Sequence, residues 1–376
     1  MRFCLIGPTY PYKGGVSHFT TLLVEHLRIK HEVLFISFKR QYPQILFPGN
    51  AGPDPSHHPL WTNCEYLLDP MDPMTWFRAY RRVKRIKPDA LILQWWTPFW
   101  TPMLAALTTS YKYISHGRML FLCHHITPPD GGPFDRRLAR IVLSRADKFI
   151  VFSENDREEL FHLLPNARIH KTILPTFETF NQKPLSTEEA RCKLGYGSGD
   201  RLLLFFGFVR RYKGLSYLVR ALAKVPQELN VKLLVVGEFW ESEEEYRRLA
   251  RTLDLQDRIQ IINRYVPNEE VSLYFSAADA VVLPYQEATQ SAVAQIAFGF
   301  NLPVISTDVG GLPEIVKDGV FGLIVPSRDE EALARAIIDY FGQDLKPVFQ
   351  ENIHMENHLF SWDHLTTLIQ RVLERR

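Results

Sequence analysis

Arg201-Leu202-Leu203-Leu204-Phe205-Phe206-Gly207-Phe208-Val209-Arg210-Arg211-Tyr212-Lys213-Gly214 is the stretch on which the fold turns. Residues 201–206 form a Leu/Phe-rich run of strand length, of the kind buried inside a parallel sheet. Gly207 ends that strand, and a helix is predicted over 214–224. Ligands of open α/β sheets collect at the carboxyl ends of the strands. Arg210 and Lys213 project there, where a diphosphate could sit: an Arg holds phosphate oxygens through paired N–H groups and a Lys acts as a point charge. The plainer alternative is a solvated basic turn.

Outward from this segment the same alternation recurs. Strands are predicted at 231–236, 258–262, 279–283, 303–307 and 322–325, with helices at 242–253, 268–277, 290–300 and 329–342. An earlier series has strands at 2–6, 32–38, 90–94, 119–124, 148–152 and 169–173, and helices at 15–29, 75–86, 135–145 and 154–163. Alternating strands and helices imply parallel sheets made of βαβ units. The region 174–200 interrupts them with Pro175, Pro184 and Gly195. The fold class expected is α/β, with two Rossmann-like doubly wound domains at 1–178 and 186–350. Residues 39–63 form a long Pro/His/Gly-rich stretch of little periodicity, and loops of that length are functional or disordered. An amphipathic helix is predicted over 356–376, with Phe360, Trp362, Leu365, Leu368, Ile369 and Val372 on its apolar face.

With 376 residues the chain is long enough for two domains. It contains no apolar run of 18 residues, so no spanning helix is expected. Met1–Gly7 is too short for a signal peptide, and a cytoplasmic location is expected. Cys4, Cys64, Cys123 and Cys192 are widely spaced and suggest neither a zinc site nor a disulfide framework. Residues 1–180 carry 22 Lys and Arg against 15 Asp and Glu, a net +7, and residues 181–376 carry 22 against 27, a net −5. A basic first half suits an acidic partner.

Two more segments have ligand-binding chemistry. In Gly7-Pro8-Thr9-Tyr10-Pro11-Tyr12-Lys13-Gly14-Gly15-Val16-Ser17, the Gly14-Gly15 pair opens a helix and exposes backbone N–H groups; an ordinary glycine turn is the alternative. In Pro284-Tyr285-Gln286-Glu287-Ala288-Thr289-Gln290-Ser291, residues Thr289, Gln290 and Ser291 fall at a helix N-terminus, which favours an anion, although N-capping would also explain them. Gly310-Gly311, before Leu312-Pro313-Glu314, allows close approach of a ligand to a further strand-to-helix turn.

Taken together, these motifs resemble the retaining glycosyltransferases of GT-B fold in the glycogen-synthase-like family four. The resemblance rests on the N-terminal Gly-Gly loop, the segment 207–214, Val235-Val236-Gly237-Glu238, Ala278–Pro284 and Pro303–Glu314, and it is strongest over 200–326. It implies two domains facing across a cleft, with the terminal helix packed back on the first domain. It further implies a nucleotide-sugar donor, UDP- or GDP-linked, bound by the second domain. Arg210 and Lys213 would hold the diphosphate, together with Gly207 and N–H groups near Thr289, Gln290 and Ser291. Glu314 and the 237–240 turn, with Glu238, would border the nucleoside, and Gly310 and Gly311 would let their own turn approach the donor closely. His124, with His125 as fallback, and Gly14 and Gly15 would come from the first domain. No metal and no separate cofactor are implied, and no Asp-x-Asp motif occurs. The chain departs from the family at its pair of glutamates eight residues apart. Ala288 and Ile296 occupy those places, while Glu287 and Gln295 stand one position earlier, a rotation of about 100° on a helix.

The expected reaction is sugar transfer with retention to a glycan or lipid-linked acceptor, as in polysaccharide biosynthesis. A sugar-nucleotide epimerase or hydrolase of the same fold, or a non-catalytic nucleotide-sugar-binding protein, is the alternative. A dehydrogenase is disfavoured because no GxGxxG precedes a ribose-binding acid. Residues 75–88 form a basic amphipathic helix that either lies peripherally on the inner face of an anionic membrane or is an ordinary surface helix. The run Gln94-Trp95-Trp96-Thr97-Pro98-Phe99-Trp100 offers rings for sugar stacking or interfacial anchoring. No nucleic-acid partner is expected.

Overall fold

The computed structural model describes residues 1–42, 52–114, 117–128, 131–181 and 185–374. Part of the stretch 39–63 and of the region 174–200 therefore lies outside the described residues. The chain divides into two compact units. One comprises Met1–Asp54, Pro59–Ile173 and the residues from Trp362 onward; the other comprises Pro55–His58 and Leu174–Ser361.

The first unit is built on seven parallel strands: β1 (Arg2–Ile6), β2 (Glu32–Phe38), β3 (Glu65–Leu68), β4 (Ala90–Trp95), β5 (Arg118–Cys123), β6 (Lys148–Val151) and β7 (Arg168–Lys171). Their order is β3-β2-β1-β4-β5-β6-β7, reversing at β1/β4 in the doubly wound manner. β4 is buried at all six residues, as a central strand covered on both faces must be. Register is continuous across the centre, with Leu5 opposite Ile92 and Leu93 opposite Phe121. The helix Gly15–Arg28 buries Phe19, Leu23, Val24 and Leu27. Against it lies the terminal helix Trp362–Glu374, where Trp362 stacks on His26 at 4.9 Å and meets Phe19 at 5.5 Å. The buried ammonium of Lys148 donates to the carbonyl of Val372.

The terminal helix is shorter than 356–376. Asn357–Phe360 is a 3-10 turn of the second unit, and Phe360 packs there against Phe298 at 5.3 Å. Strand β3 and the helices Thr101–Ile114, Thr187–Leu194, Leu312–Val316 and Lys346–Glu356 add to the predicted elements. Thr187–Leu194 starts on a capping box, Ser186 with Glu189, and ends at Gly195 with φ 80°.

The second unit holds six parallel strands: β8 (Arg201–Phe206), β9 (Val231–Val236), β10 (Ile259–Ile262), β11 (Ala280–Leu283), β12 (Val304–Thr307) and β13 (Gly322–Val325). Their order is β10-β9-β8-β11-β12-β13. The chain thus folds as two parallel-sheet α/β domains. Every apolar run predicted as a strand in the second half lies in this sheet, with β8 among its central strands.

Candidate functional site

In the second unit, the turns after β8, β9, β11 and β12 interlock at the carboxyl edge of the sheet. After β8, Gly207 adopts φ 99° and its N–H donates to the Val236 carbonyl at 2.9 Å. Gly237, after β9, adopts φ 153°, and a β-carbon there would lie 1.9 Å from the Gly207 carbonyl oxygen. The two turns then run side by side: Val209 N–H donates to Glu238 O at 2.9 Å, and Trp240 N–H to Val209 O at 3.0 Å. Two glycines meeting backbone to backbone leave a floor with no side chain on it.

Lys213 reaches that floor, its ammonium 3.3 Å from where a β-carbon on Gly207 would sit. Arg210 lies in extended backbone just before a 3-10 turn at Arg211–Lys213. Its guanidinium carbon is 5.2 Å from the Tyr212 ring centre and 4.9 Å from that of Trp240. Contact with the faces of two rings orients the guanidinium. Lys213 is buried, and its ammonium lies 5.6 Å from the Tyr285 ring centre. Burial, and secondarily the charge of Arg210, push its pKa down to about 8. Among the described residues no carboxylate pairs with Lys213.

The turn after β11 is locked to the same place. Gly214 has φ 68°, and a β-carbon on it would lie 1.9 Å from the Pro284 carbonyl oxygen. Gln286 N–H donates to Tyr212 O at 2.6 Å, and its side-chain amide to Arg211 O at 2.8 Å. The Tyr285 carbonyl accepts from the hydroxyls of Thr307 at 2.6 Å and Ser327 at 3.1 Å. Ser291 caps the helix Ala292–Gly299, its Oγ accepting from Ala294 N–H at 3.3 Å, which is the plainer of its two roles. Thr289 and Gln290 precede it; the Gln290 side-chain amide is buried at both polar ends without a partner among the described residues. Gly310 has φ 56°, and a β-carbon there would lie 1.6 Å from Ala288 O. Gly311 N–H donates to Thr289 O at 3.1 Å, and Glu314, half-buried, lies on the short helix Leu312–Val316.

The second unit therefore gathers Gly207, Arg210, Lys213, Glu238, Thr289, Gln290, Ser291, Gly310, Gly311 and Glu314 on the turns at one sheet edge. Of the places held by glutamates in the family, Ala288 is half-buried and Ile296 is buried. Glu287 points outward, 3.9 Å from Arg328. Gln295 is fully buried, with both polar ends unpartnered among the described residues. Motif reading did not single out Tyr212, Trp240 or Tyr285 as supports of the two cations. Their signal was aromatic residues placed within or just after the turn motifs.

In the first unit, Gly14 has φ 102° and precedes the helix Gly15–Arg28, whose first turn has no side-chain cap. His124 follows β5. Burial pushes its pKa down to about 3 and that of His125 to about 4, so both rings are neutral at physiological pH. The tryptophan run is mostly core. Trp95 and Trp100 are buried, donating to the carbonyls of Ile126 at 3.0 Å and Gln41 at 3.2 Å. Trp96 is half-buried, crosses Trp100 edge-on at 3.9 Å and donates to the Tyr42 hydroxyl at 3.1 Å.

Family models place these two units. Residues 200–343 match the model described as "Glycosyl transferases group 1", and residues 13–172 match "Glycosyltransferase Family 4". Among curated proteins, the chain is 30% identical over 212 residues to D-inositol 3-phosphate glycosyltransferase 1 of Catenulispora acidiphila, covering 53% of this chain and 50% of that protein. The chain spans about half the length of the curated relatives it matches, the Corynebacterium aurimucosum D-inositol 3-phosphate glycosyltransferase being covered over 46%. Among solved structures, sucrose-phosphate synthase from Thermosynechococcus elongatus superposes with a TM-score of 0.77 at 20% identity, over 99% of this chain and 98% of that one. Anabaena HepE in complex with UDP gives a TM-score of 0.77 at 16% identity, with 100% of both chains covered. With both of its units matched by models of one enzyme group, and its two parallel sheets shared with GT-B structures, this chain belongs to the family-four glycosyltransferases.

Proposed function

We propose that the protein transfers a sugar from a nucleotide-sugar donor, UDP- or GDP-linked, to a glycan or lipid-linked acceptor with retention of anomeric configuration. The observation that carries this reading is the buried Lys213 ammonium, which has no carboxylate partner among the described residues and stands against the glycine turn at Gly207 near the ring-stacked Arg210. A buried cation without a counter-anion is costly, and a diphosphate supplies the missing charge. The anomeric carbon–oxygen bond to the diphosphate breaks, and the acceptor oxygen bonds on the same face. The acceptor proton passes to the departing phosphate oxygen. Arg210 and Lys213, rather than a metal ion, stabilise the charge that develops on it.

Relatives and neighbours support the donor class. HepE is described in complex with UDP and with UDP-glucose, and the curated relatives are glycosyltransferases. The first domain is assigned the acceptor, with His124 as a neutral hydrogen-bonding group towards a hydroxyl and Gly14 and Gly15 as backbone donors. We assign the reaction to polysaccharide biosynthesis on the cytoplasmic side. No helix among the described residues is long and apolar enough to cross a membrane. The helix Pro73–Ile86 supports peripheral contact: Met74 and Phe77 are exposed among its basic residues.

Thermal-shift and calorimetric titrations with UDP-, GDP- and ADP-sugars test the donor, and release of the nucleoside diphosphate, with and without EDTA, tests turnover. Stabilisation by one nucleotide class and turnover insensitive to EDTA are expected. Binding without turnover under any acceptor would instead identify a binding protein, the outcome favoured by Ala288 and Ile296. Absence of nucleotide binding would remove the reading altogether.

A further inference from the structure

Gln94 is the one polar side chain of β4, Ala90-Leu91-Ile92-Leu93-Gln94-Trp95, and it is buried with the rest of the strand. A carboxamide in that position loses stability unless both of its ends are bonded. Its Oε1 lies 2.8 Å from Nε2 of His124, which follows the neighbouring strand β5. Its own amide nitrogen is buried without a partner among the described residues. Space for the side chain comes from β1 on the other flank, where a β-carbon on Gly7 would lie 2.7 Å from Gln94 Cγ. β1, β4 and β5 are consecutive in the sheet, so Gly7, Gln94 and His124 stand side by side at its carboxyl edge.

The imidazole is held on its other sides as well. Phe19 meets it edge-on at 4.9 Å, Phe152 stacks on it at 5.4 Å, and its backbone N–H donates to Trp95 O at 2.9 Å. A carbonyl oxygen only accepts, so the ring nitrogen facing Oε1 carries the proton. The lone pair of the neutral ring is then on Nδ1. Burial keeps the ring neutral, with its pKa pushed down to about 3. An unpaired buried amide is an arrangement that stability alone does not favour, and such groups call for a functional explanation.

We propose that Gln94 is the positioning residue of His124, fixing the imidazole as the Nε2–H tautomer so that Nδ1 is presented as an acceptor to a substrate hydroxyl. The functional half of this proposal rests on the reading of His124 as a hydroxyl-binding group; the tautomer half does not. The Gly7 gap is part of the device, because any larger residue there displaces the Gln94 side chain.

The test is two-bond proton–nitrogen NMR on the full chain labelled with ¹⁵N-histidine, the His124 signals being assigned by their loss in His124→Gln. The native protein should show a single Nε2–H tautomer. Gln94→Leu should give a tautomer mixture, as should Gly7→Ala, which moves the amide without removing it. Gln94→Glu should restore the Nε2–H form, since a carboxylate only accepts. A native Nδ1–H tautomer, or an unchanged Nε2–H tautomer in either folded Gln94→Leu or folded Gly7→Ala, overturns the proposal. UDP release from UDP-glucose separates the two halves. Gln94→Leu should lower kcat on the order of tenfold with KM little changed, and Gln94→Glu should recover most of it. Native-like turnover in His124→Ala would overturn the hydroxyl-binding reading, while the tautomer spectra would still judge the positioning.

Discussion

The Lys213 ammonium lies 3.3 Å from the point where a β-carbon on Gly207 would sit. The strand-ending glycine and the cation six residues on are therefore one unit: the glycine leaves the space into which the lysine folds back. Gly207 also holds φ 99°, which side-chain-bearing residues adopt only under strain. Gly207→Ala should cost about 1–2 kcal/mol of stability and push the ammonium off its seat. UDP affinity by calorimetry should fall roughly tenfold, about 1.4 kcal/mol. Unchanged affinity in the folded variant would separate Lys213 from the nucleotide.

The same lysine makes binding sensitive to alkali. Its pKa is lowered from the usual 10.5 to about 8 by burial first and by Arg210 second. Below pH 8 the folded protein carries the charge that a diphosphate needs; above it the unliganded ammonium loses its proton. Between about pH 8 and 10.5 the unfolded chain binds more protons than the folded one, so the stability of the unliganded protein rises with pH across that window. UDP affinity should fall about tenfold from pH 7 to pH 9. In Lys213→Met the affinity should be low and flat with pH. A native profile as flat as that of the variant would contradict the assignment.

Arg210 should not be replaceable by lysine. It stacks on Tyr212 at 5.2 Å and on Trp240 at 4.9 Å, a geometry suited to a planar guanidinium. Arg210→Ala should weaken UDP binding by about 1.5–3 kcal/mol, and Arg210→Lys should recover little of that. Trp240→Ala should cost about 0.5–1 kcal/mol through loss of one stacking face. Equal affinities of native protein and Arg210→Lys, measured by calorimetry at fixed salt, would show that the stacking geometry is idle.

Local chemistry decided what could be read from the chain. Strands buried on both faces are continuous apolar runs, and Leu202–Phe205 and Leu91–Leu93 announced themselves in that way. Strand β3, Glu65–Leu68, has only Leu68 buried, so its four residues carried neither a run nor an alternation. Thr101–Ile114 is mixed apolar and polar without a clear period, and Thr187–Leu194 is a polar helix between Pro- and Gly-rich turns, signalled only by Ser186 and Glu189. At the site, Arg210 and Lys213 stood out because two cations follow a buried strand. Tyr285 and Trp240 did not, because they approach the cations from turns far along the chain. Gln94 heads a tryptophan run whose rings dominate the pattern; its signal is a single carboxamide in an otherwise apolar buried strand.

The basic helix Pro73–Ile86 gives the last prediction. Asp72 caps it, accepting from Met74 N–H at 3.0 Å, and Thr75, Ala79 and Val83 form its buried stripe. Met74 and Phe77 are exposed at 60% and 53%, and the Arg81 guanidinium lies 5.9 Å from the Phe77 ring centre. Apolar groups flanked by cations are suited to the boundary of an anionic bilayer. The six cations of the segment 78–87 are not equivalent, however. Arg82 is paired to Glu65, its Nε and Nη2 reaching the carboxylate at 2.9 and 2.6 Å, and so belongs to the fold. Each remaining cation near an anionic surface is worth about 1 kcal/mol, screened within a Debye length of about 8 Å at physiological salt. Charge reversal at Arg81 and Arg85 should therefore abolish co-sedimentation with phosphatidylglycerol vesicles at low salt while leaving thermal stability unchanged. Arg82→Glu should instead destabilise the first unit, through repulsion from Glu65. Phe77→Ser should weaken vesicle binding without altering its salt dependence. Equal binding of the native protein to phosphatidylglycerol and phosphatidylcholine vesicles, or no loss on reversing Arg81 and Arg85, would assign the helix to solvent and direct the search to a soluble acceptor.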